Sequence, residues 1–131
     1  MAFALVKLLK SRSYFTRVGK NGSIFGLKLP VFVQHDRQVI VAIASRSRSV
    51  ASLFYAGGNF PKKVAGGVAV VQFDACPAGQ PASTYPGTIG VATGFSGGIL
   101  VARPACVYVE VWSPYASAPA RGVLALGRSD C

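Results

Sequence analysis

The chain has 131 residues, with 14 Lys and Arg against four Asp and Glu, a formal net charge of +10, and 51% hydrophobic residues. A single domain of this size buries about two-thirds of its unfolded surface, which excludes two-domain enzymes and doubly wound cofactor folds. So apolar a chain offsets its ordering entropy, and no stretch approaches the ~18 uninterrupted apolar residues of a membrane-spanning helix.

Residues 1–13 read as an N-terminal arm, apolar at first and basic after. The charges of Lys7 and Lys10 follow the apolar run instead of preceding it, and no small-residue cleavage site comes before the Ser11-Arg-Ser-Tyr-Phe15 stretch. Secretion through a signal peptide is therefore not expected. As a helix the arm would mix Phe3 with Lys7 and Lys10 on one side, unlike a membrane-surface helix.

From residue 14 the pattern is that of strands. Runs 14–18 and 23–33 flank Gly19-Lys20-Asn21-Gly22, a hairpin signal, and Pro30 places the second run at a sheet edge or breaks it. Residues 38–55 admit two readings. Asp36 could cap a helix that ends at Gly57-Gly58, but the preferred reading is strand, turn, strand, with Ser45-Arg46-Ser47-Arg48-Ser49 at the turn. Further strands are expected at 64–73, 87–93, 98–102, 106–112 and 122–126, separated by Pro, Gly, Ala and Ser clusters at 76–86 and 113–120. Val107, Val109 and Val111 alternate with Tyr108, Glu110 and Trp112, as in a sheet with two different faces. Val, Ile and Thr number 26 against 15 Leu, Glu, Gln and Met, which favours strands over helices. The expectation is a mainly β chain: one compact antiparallel sandwich or barrel-like domain over residues 14–131, carrying a basic arm.

The charge is uneven along the chain. Residues 1–63 hold Lys7, Lys10, Arg12, Arg17, Lys20, Lys28, Arg37, Arg46, Arg48, Lys62 and Lys63 against Asp36 alone. Residues 64–131 balance Arg103, Arg121 and Arg128 with Asp74, Glu110 and Asp130. Those eleven bases are the candidate contacts to a polyanionic partner: nucleic acid, an acidic protein surface or anionic lipid. The plainer alternative is a charge that keeps a sticky chain soluble.

Gly94-Phe95-Ser96-Gly97-Gly98 fits the G-x-S-x-G pattern that exposes a nucleophilic serine. Residues 94–101 resemble the serine loop of chymotrypsin-like proteases, and His35, Asp74 and Ser96 follow that family's chain order. The resemblance implies a relay from Asp74 through His35 to Ser96. Phe95 stands where the family has an acidic residue, and both the Asp74–Ser96 interval and the chain are short for two barrels. A Gly-rich corner before a strand is the preferred account, and no catalytic residue is assigned. With one histidine, no Cys-x-x-Cys spacing, no paired carboxylates and no phosphate-cradling glycine loop, neither metal nor cofactor is expected. The three cysteines read as reduced thiols, with Cys76–Cys106 the alternative pairing and Cys131 left over.

Bases and aromatics interleave at Tyr14-Phe15-Thr16-Arg17, Phe25-Gly-Leu-Lys28 and Phe60-Pro-Lys62-Lys63. A β-sheet nucleic-acid binder with phosphate-dominated contacts is therefore the alternative reading. The favoured one is a non-enzymatic structural subunit of a larger assembly, located in a virion or inside the cell. Small basic β subunits of this kind resemble viral shell components in general character: capsid, minor capsid or decoration proteins. The expected partners are further copies of the chain and other assembly proteins, with nucleic acid as a third candidate and no small-molecule substrate.

Overall fold

A computed structural model describes residues 24–78, 92–128 and 130–131, together with the backbone of residues 15–18. Its elements in chain order are β1 (Phe15–Val18), β2 (Ile24–Lys28), β3 (Val31–Gln34), β4 (Gln38–Ile43), β5 (Ala51–Phe54), β6 (Val70–Asp74), β7 (Ala92–Phe95), β8 (Gly98–Val101), β9 (Ala105–Trp112) and β10 (Ala120–Leu126). The described part is mainly β and contains no α-helix. Its strands form three antiparallel sheets, which we number I (β1-β2-β8-β5), II (β10-β9-β4-β6) and III (β3-β7). No helix among the described residues is long and apolar enough to cross a membrane.

Alternation decides which side chains enter the core. In sheet II the registers Val41↔Val71, Val41↔Val111 and Val39↔Phe73 set one row of side chains inward. Leu27, Ile99 and Leu53 are cross-strand partners in sheet I, and Val31 and Val33 alternate with exposed Phe32 and Gln34 in sheet III. All of these inward residues belong to one continuous apolar cluster. Burial of a Val, Leu or Phe side chain stabilises by about 1.5–3 kcal/mol, so the shared core holds the three sheets together.

Phe73 of β6 sits where the sheets meet. Its ring packs edge-on to Tyr55, just past β5, at 4.9 Å between centroids, and to Phe95 of β7 at 5.0 Å. The Tyr55 hydroxyl donates to the Leu29 carbonyl at 2.6 Å, and burial pushes its phenol well above the ordinary range. Leu29 N–H donates in turn to the Gly97 carbonyl at 2.9 Å, on the link between β7 and β8. One chain of contacts thus joins all three sheets.

The strand–turn–strand reading of residues 38–55 holds: β4 and β5 flank a 3-10 turn at Ser45–Ser47. β4 lies between β6 and β9, and its ladder to both neighbours outweighs the competing helical spacing. Pro30 separates β2 from β3, which join different sheets. β1 and β2 pair antiparallel out to Val18↔Ile24, while the expected hairpin tip and residues 1–14 lie outside the described residues.

Three expectations are corrected. The strand expected over residues 64–73 begins only at Val70, because Val64–Gly66 forms a 3-10 turn and Val68 makes a single bridge to Leu53. The Ser52 hydroxyl donates to the Val64 carbonyl at 2.7 Å, and Gly67 lies so close to Ser52 and Leu53 that no side chain fits there. The strand expected over 87–93 becomes β7 over Ala92–Phe95, with 87–91 outside the described residues. The cysteine reading also changes: Cys106 pairs with Cys131, and Cys76 is the free thiol. Gly127, at φ 69°, turns the chain back beyond the last β10 pair, Leu126↔Ala105, so Cys131 Cα reaches 5.7 Å from Cys106 Cα.

Two stability predictions follow from these contacts. Phe73→Ala should cost about 3–5 kcal/mol, measured as a lowered denaturant midpoint. Cys131→Ser should cost about 3 kcal/mol, the chain-entropy value for a loop of ~25 residues; an unchanged midpoint would show that the bridge constrains little.

Candidate functional site

Chain topology distributes the candidate bases. β4 and β5 are linked by residues 44–50, which fold over β9. There Ala44 N–H donates to the Tyr108 carbonyl at 2.8 Å, and Tyr108 N–H donates to the Ser47 hydroxyl at 3.0 Å. The clamp lays the Arg46 guanidinium on the Tyr108 ring, 4.5 Å from its centroid, and Arg48 Nε donates to the Ile43 carbonyl at 3.0 Å. Ala102 N–H donates to the Val50 carbonyl at 2.9 Å, bringing the turn with Arg103 to this same end. Arg128 follows Gly127, which faces Pro104 of that turn.

The opposite end carries Lys28, in register with Gly98 of β8, itself opposite Phe54. Phe60 packs against Phe54 at 5.9 Å between centroids, and Lys62 and Lys63 follow it in the β5–β6 loop. At the start of β4, the Arg37 guanidinium lies 4.3 Å from the Tyr115 ring centroid. Arg17 is opposite Phe25 in the β1–β2 ladder, while Lys7, Lys10, Arg12 and Lys20 fall outside the described residues. The described bases therefore do not form one patch, and they occupy both ends of the sandwich.

The acids are placed more narrowly. Asp74 belongs to β6 and Glu110 to β9, both in sheet II, and Asp36 lies in the turn leading into β4. The carbonyl of Asp130 lies 3.6 Å from Cys106 Sγ, beside β9. These are all four acids of the chain. The strands of sheet I, and the loop from β5 to β6, contain bases and no acid. The acids of the folded chain are thus gathered on and beside one sheet, whereas the basic and neutral stretches of sequence interleave in both sheets. Sequence reasoning counted the acids but had no means to place them, because that placement depends on which strands pair.

On sheet II the acids are engaged. The Glu110 carboxylate meets Arg121 Nε at 3.2 Å across the β9–β10 ladder, in an exposed pair of small energetic weight. Gln38 Nε2 donates to Asp74 Oδ1 at 2.6 Å and Gln72 adds a second amide, which together hold the Asp74 carboxyl below its ordinary range. Among these polar groups the outward face also exposes Val70 48%, Trp112 44% and Val123 40%.

The structure does not assemble the serine relay. Asp74 is bonded to glutamines, and buried His35 has no hydrogen-bond partner at Nδ1 or Nε2. Nothing there orients the imidazole, which a relay requires. The Gly-rich segment instead forms a corner: β7 pairs with β3 in sheet III, and β8 enters sheet I two residues later. A Cβ at Gly97 would collide with the Tyr55 ring and the Phe54 carbonyl, and one at Gly98 with the Leu27 carbonyl. The glycines are needed for close approach of backbones.

No family model, curated protein or solved structure matches the chain.

Gly98→Ala should destabilise the fold by about 1–3 kcal/mol, because the added methyl meets backbone that cannot step aside. Thermal unfolding checks this, and a neutral result would show that the corner yields.

Proposed function

We propose that the protein is a non-enzymatic structural subunit of a larger assembly, a shell component of the capsid, minor capsid or decoration type. It docks on a polyanionic partner through its basic side. What supports the reading is the gathering of the acids on and beside one of the two large sheets. Sheet I and the β5–β6 loop present Lys28, Lys62 and Lys63 with no carboxylate among them, whereas every acid lies on or beside sheet II. A polyanion approaching sheet I meets no fixed negative charge. Long-range attraction then sets both encounter rate and orientation.

On this reading Lys7, Lys10 and Arg12 of residues 1–13 add their charge to the attraction. Each phosphate neutralised releases counterions, so affinity depends steeply on salt and little on sequence. Sheet I, four strands joined by three ladders and backed by the common core, supplies the base for these side chains. The nucleic-acid-binding alternative uses the same surface, and differs in requiring no association between subunits.

The test is binding of the full chain to a generic DNA duplex and to a single strand across a salt series. Affinity should fall about tenfold to a thousandfold between low and moderate salt. Lys62→Ala with Lys63→Ala should flatten the slope of log affinity against log salt by about two. An absence of binding at low salt to nucleic acid and to an acidic polypeptide alike would overturn the reading.

A further inference from the structure

We infer that the outward face of sheet II is where one copy of the chain meets another. This deepens the assembly reading by naming the surface that joins subunits, and it draws on different residues from polyanion docking.

The face follows from the register. Tyr108↔Val123, Glu110↔Arg121, Ala42↔Glu110, Ala42↔Val70, Ile40↔Trp112 and Ile40↔Gln72 are cross-strand partners, so their side chains share one side of the sheet. The opposite side carries Val41, Ile43, Phe73, Val107 and Val109, all buried in the core. Trp112 on β9, Val123 on the edge strand β10 and Val70 on the opposite edge strand β6 remain 40–48% exposed, with β4 between β9 and β6. Large exposed apolar side chains that share one outward face mark an interaction surface more than single ones on different faces do.

Charge selects the occupant. A second copy also carries +10, so approach through sheet I sets bases against bases. Sheet II alone offers carboxylates, and on its outward face Glu110 and Arg121 stand side by side. In a two-fold arrangement, the Glu110–Arg121 pair of one copy faces the same pair reversed, and both signs are matched. A polyanion gains least here, where Asp74 and Glu110 both project. The surface favours its own kind over nucleic acid.

Area bounds the strength. Four strands ~4.8 Å apart with about six residues each, at ~3.4 Å per residue, span about 400 Å². A stable interface buries about 800 Å² per partner, so an isolated pair is weak. Many copies held on one polyanion raise the effective concentration and make the contact persist. The face therefore acts in the assembly, with docking and self-association reinforcing one another.

Trp112 is the single tryptophan of the chain and lies on this face, so its emission reports contact directly. The experiment is sedimentation of the full chain over a wide concentration range, at about 0.5 M salt to screen the repulsion between copies. Trp112 emission is followed in parallel. The expected result is a mass rising toward the dimer with emission moving to shorter wavelength. Val123→Lys and Val70→Lys, at exposed positions that spare the core, should each weaken association tenfold or more. Lys62→Ala with Lys63→Ala should leave association intact while weakening DNA binding, so the two readings fail separately. A chain monomeric at every concentration overturns the inference, as does association indifferent to both face variants. It is equally overturned if Trp112 in the monomer responds to added oligothymidylate, which would make the face a polyanion site.

Discussion

The fold depends on a single ring placed where three sheets converge. Each sheet on its own is small: sheet III has two strands of four residues, and two strands alone are marginal in water. Phe73 resolves this by contacting Tyr55 from the sheet I side and Phe95 from sheet III while belonging to sheet II. Tyr55 could not be so deep without the Leu29 carbonyl to accept its hydroxyl, because an unpaired buried phenol is costly. Leu29 is itself held by Gly97, and Gly97 lacks a side chain because Tyr55 occupies that space. The Gly-rich segment, the buried tyrosine and the central phenylalanine are parts of one packing solution.

Much of the architecture was legible from residue order alone. The alternation in β9 gives two different faces, and in the fold Val107 and Val109 point inward while Tyr108, Glu110 and Trp112 point outward. The mainly β class and the Pro30 break also emerged from local pattern. What stayed hidden has one physical source, contacts between residues far apart in sequence. Residues 64–69 have strand composition, yet the nearness of Ser52 and Leu53 forces a turn there. Cys131 reaches Cys106 only because Gly127 reverses the chain after a hairpin whose register no local signal reveals. The charge polarity was half visible. Counting showed an excess of bases before residue 64, but only the pairing of β6, β9 and β10 with β4 collects the acids on one sheet.

That polarity gives the molecule two unlike sides on one core. Sheet I and the β5–β6 loop carry bases without an acid, which on the proposed reading suits long-range, salt-sensitive attraction. The outward face of sheet II mixes exposed Trp112, Val70 and Val123 with both signs of charge, which on the proposed reading suits short-range packing. If copies of so cationic a chain associate as proposed, they face opposing electrostatic demands, which placing the few acids on one sheet would reconcile. Arg46 on Tyr108 and Arg37 on Tyr115 moderate sheet II further, since a guanidinium stacked on an aromatic ring is less free to reach a phosphate.

The strand order also carries a temporal meaning. β8 is inserted between β2 and β5, and β9 lies between β4 and β10, so each large sheet is completed by strands from the last third of the chain. During synthesis from the N-terminus, β2 and β5 emerge early and have to wait for β8 before either gains its central neighbour. Pairings of such long sequence separation close slowly, and the early strands stay unpaired meanwhile. Trp112, Val123, Glu110 and Arg121 all reside on β9 and β10, so the outward face of sheet II does not exist on a nascent chain. A partly made polypeptide is already basic, but the face proposed to join subunits is incomplete until β9 and β10 have been made.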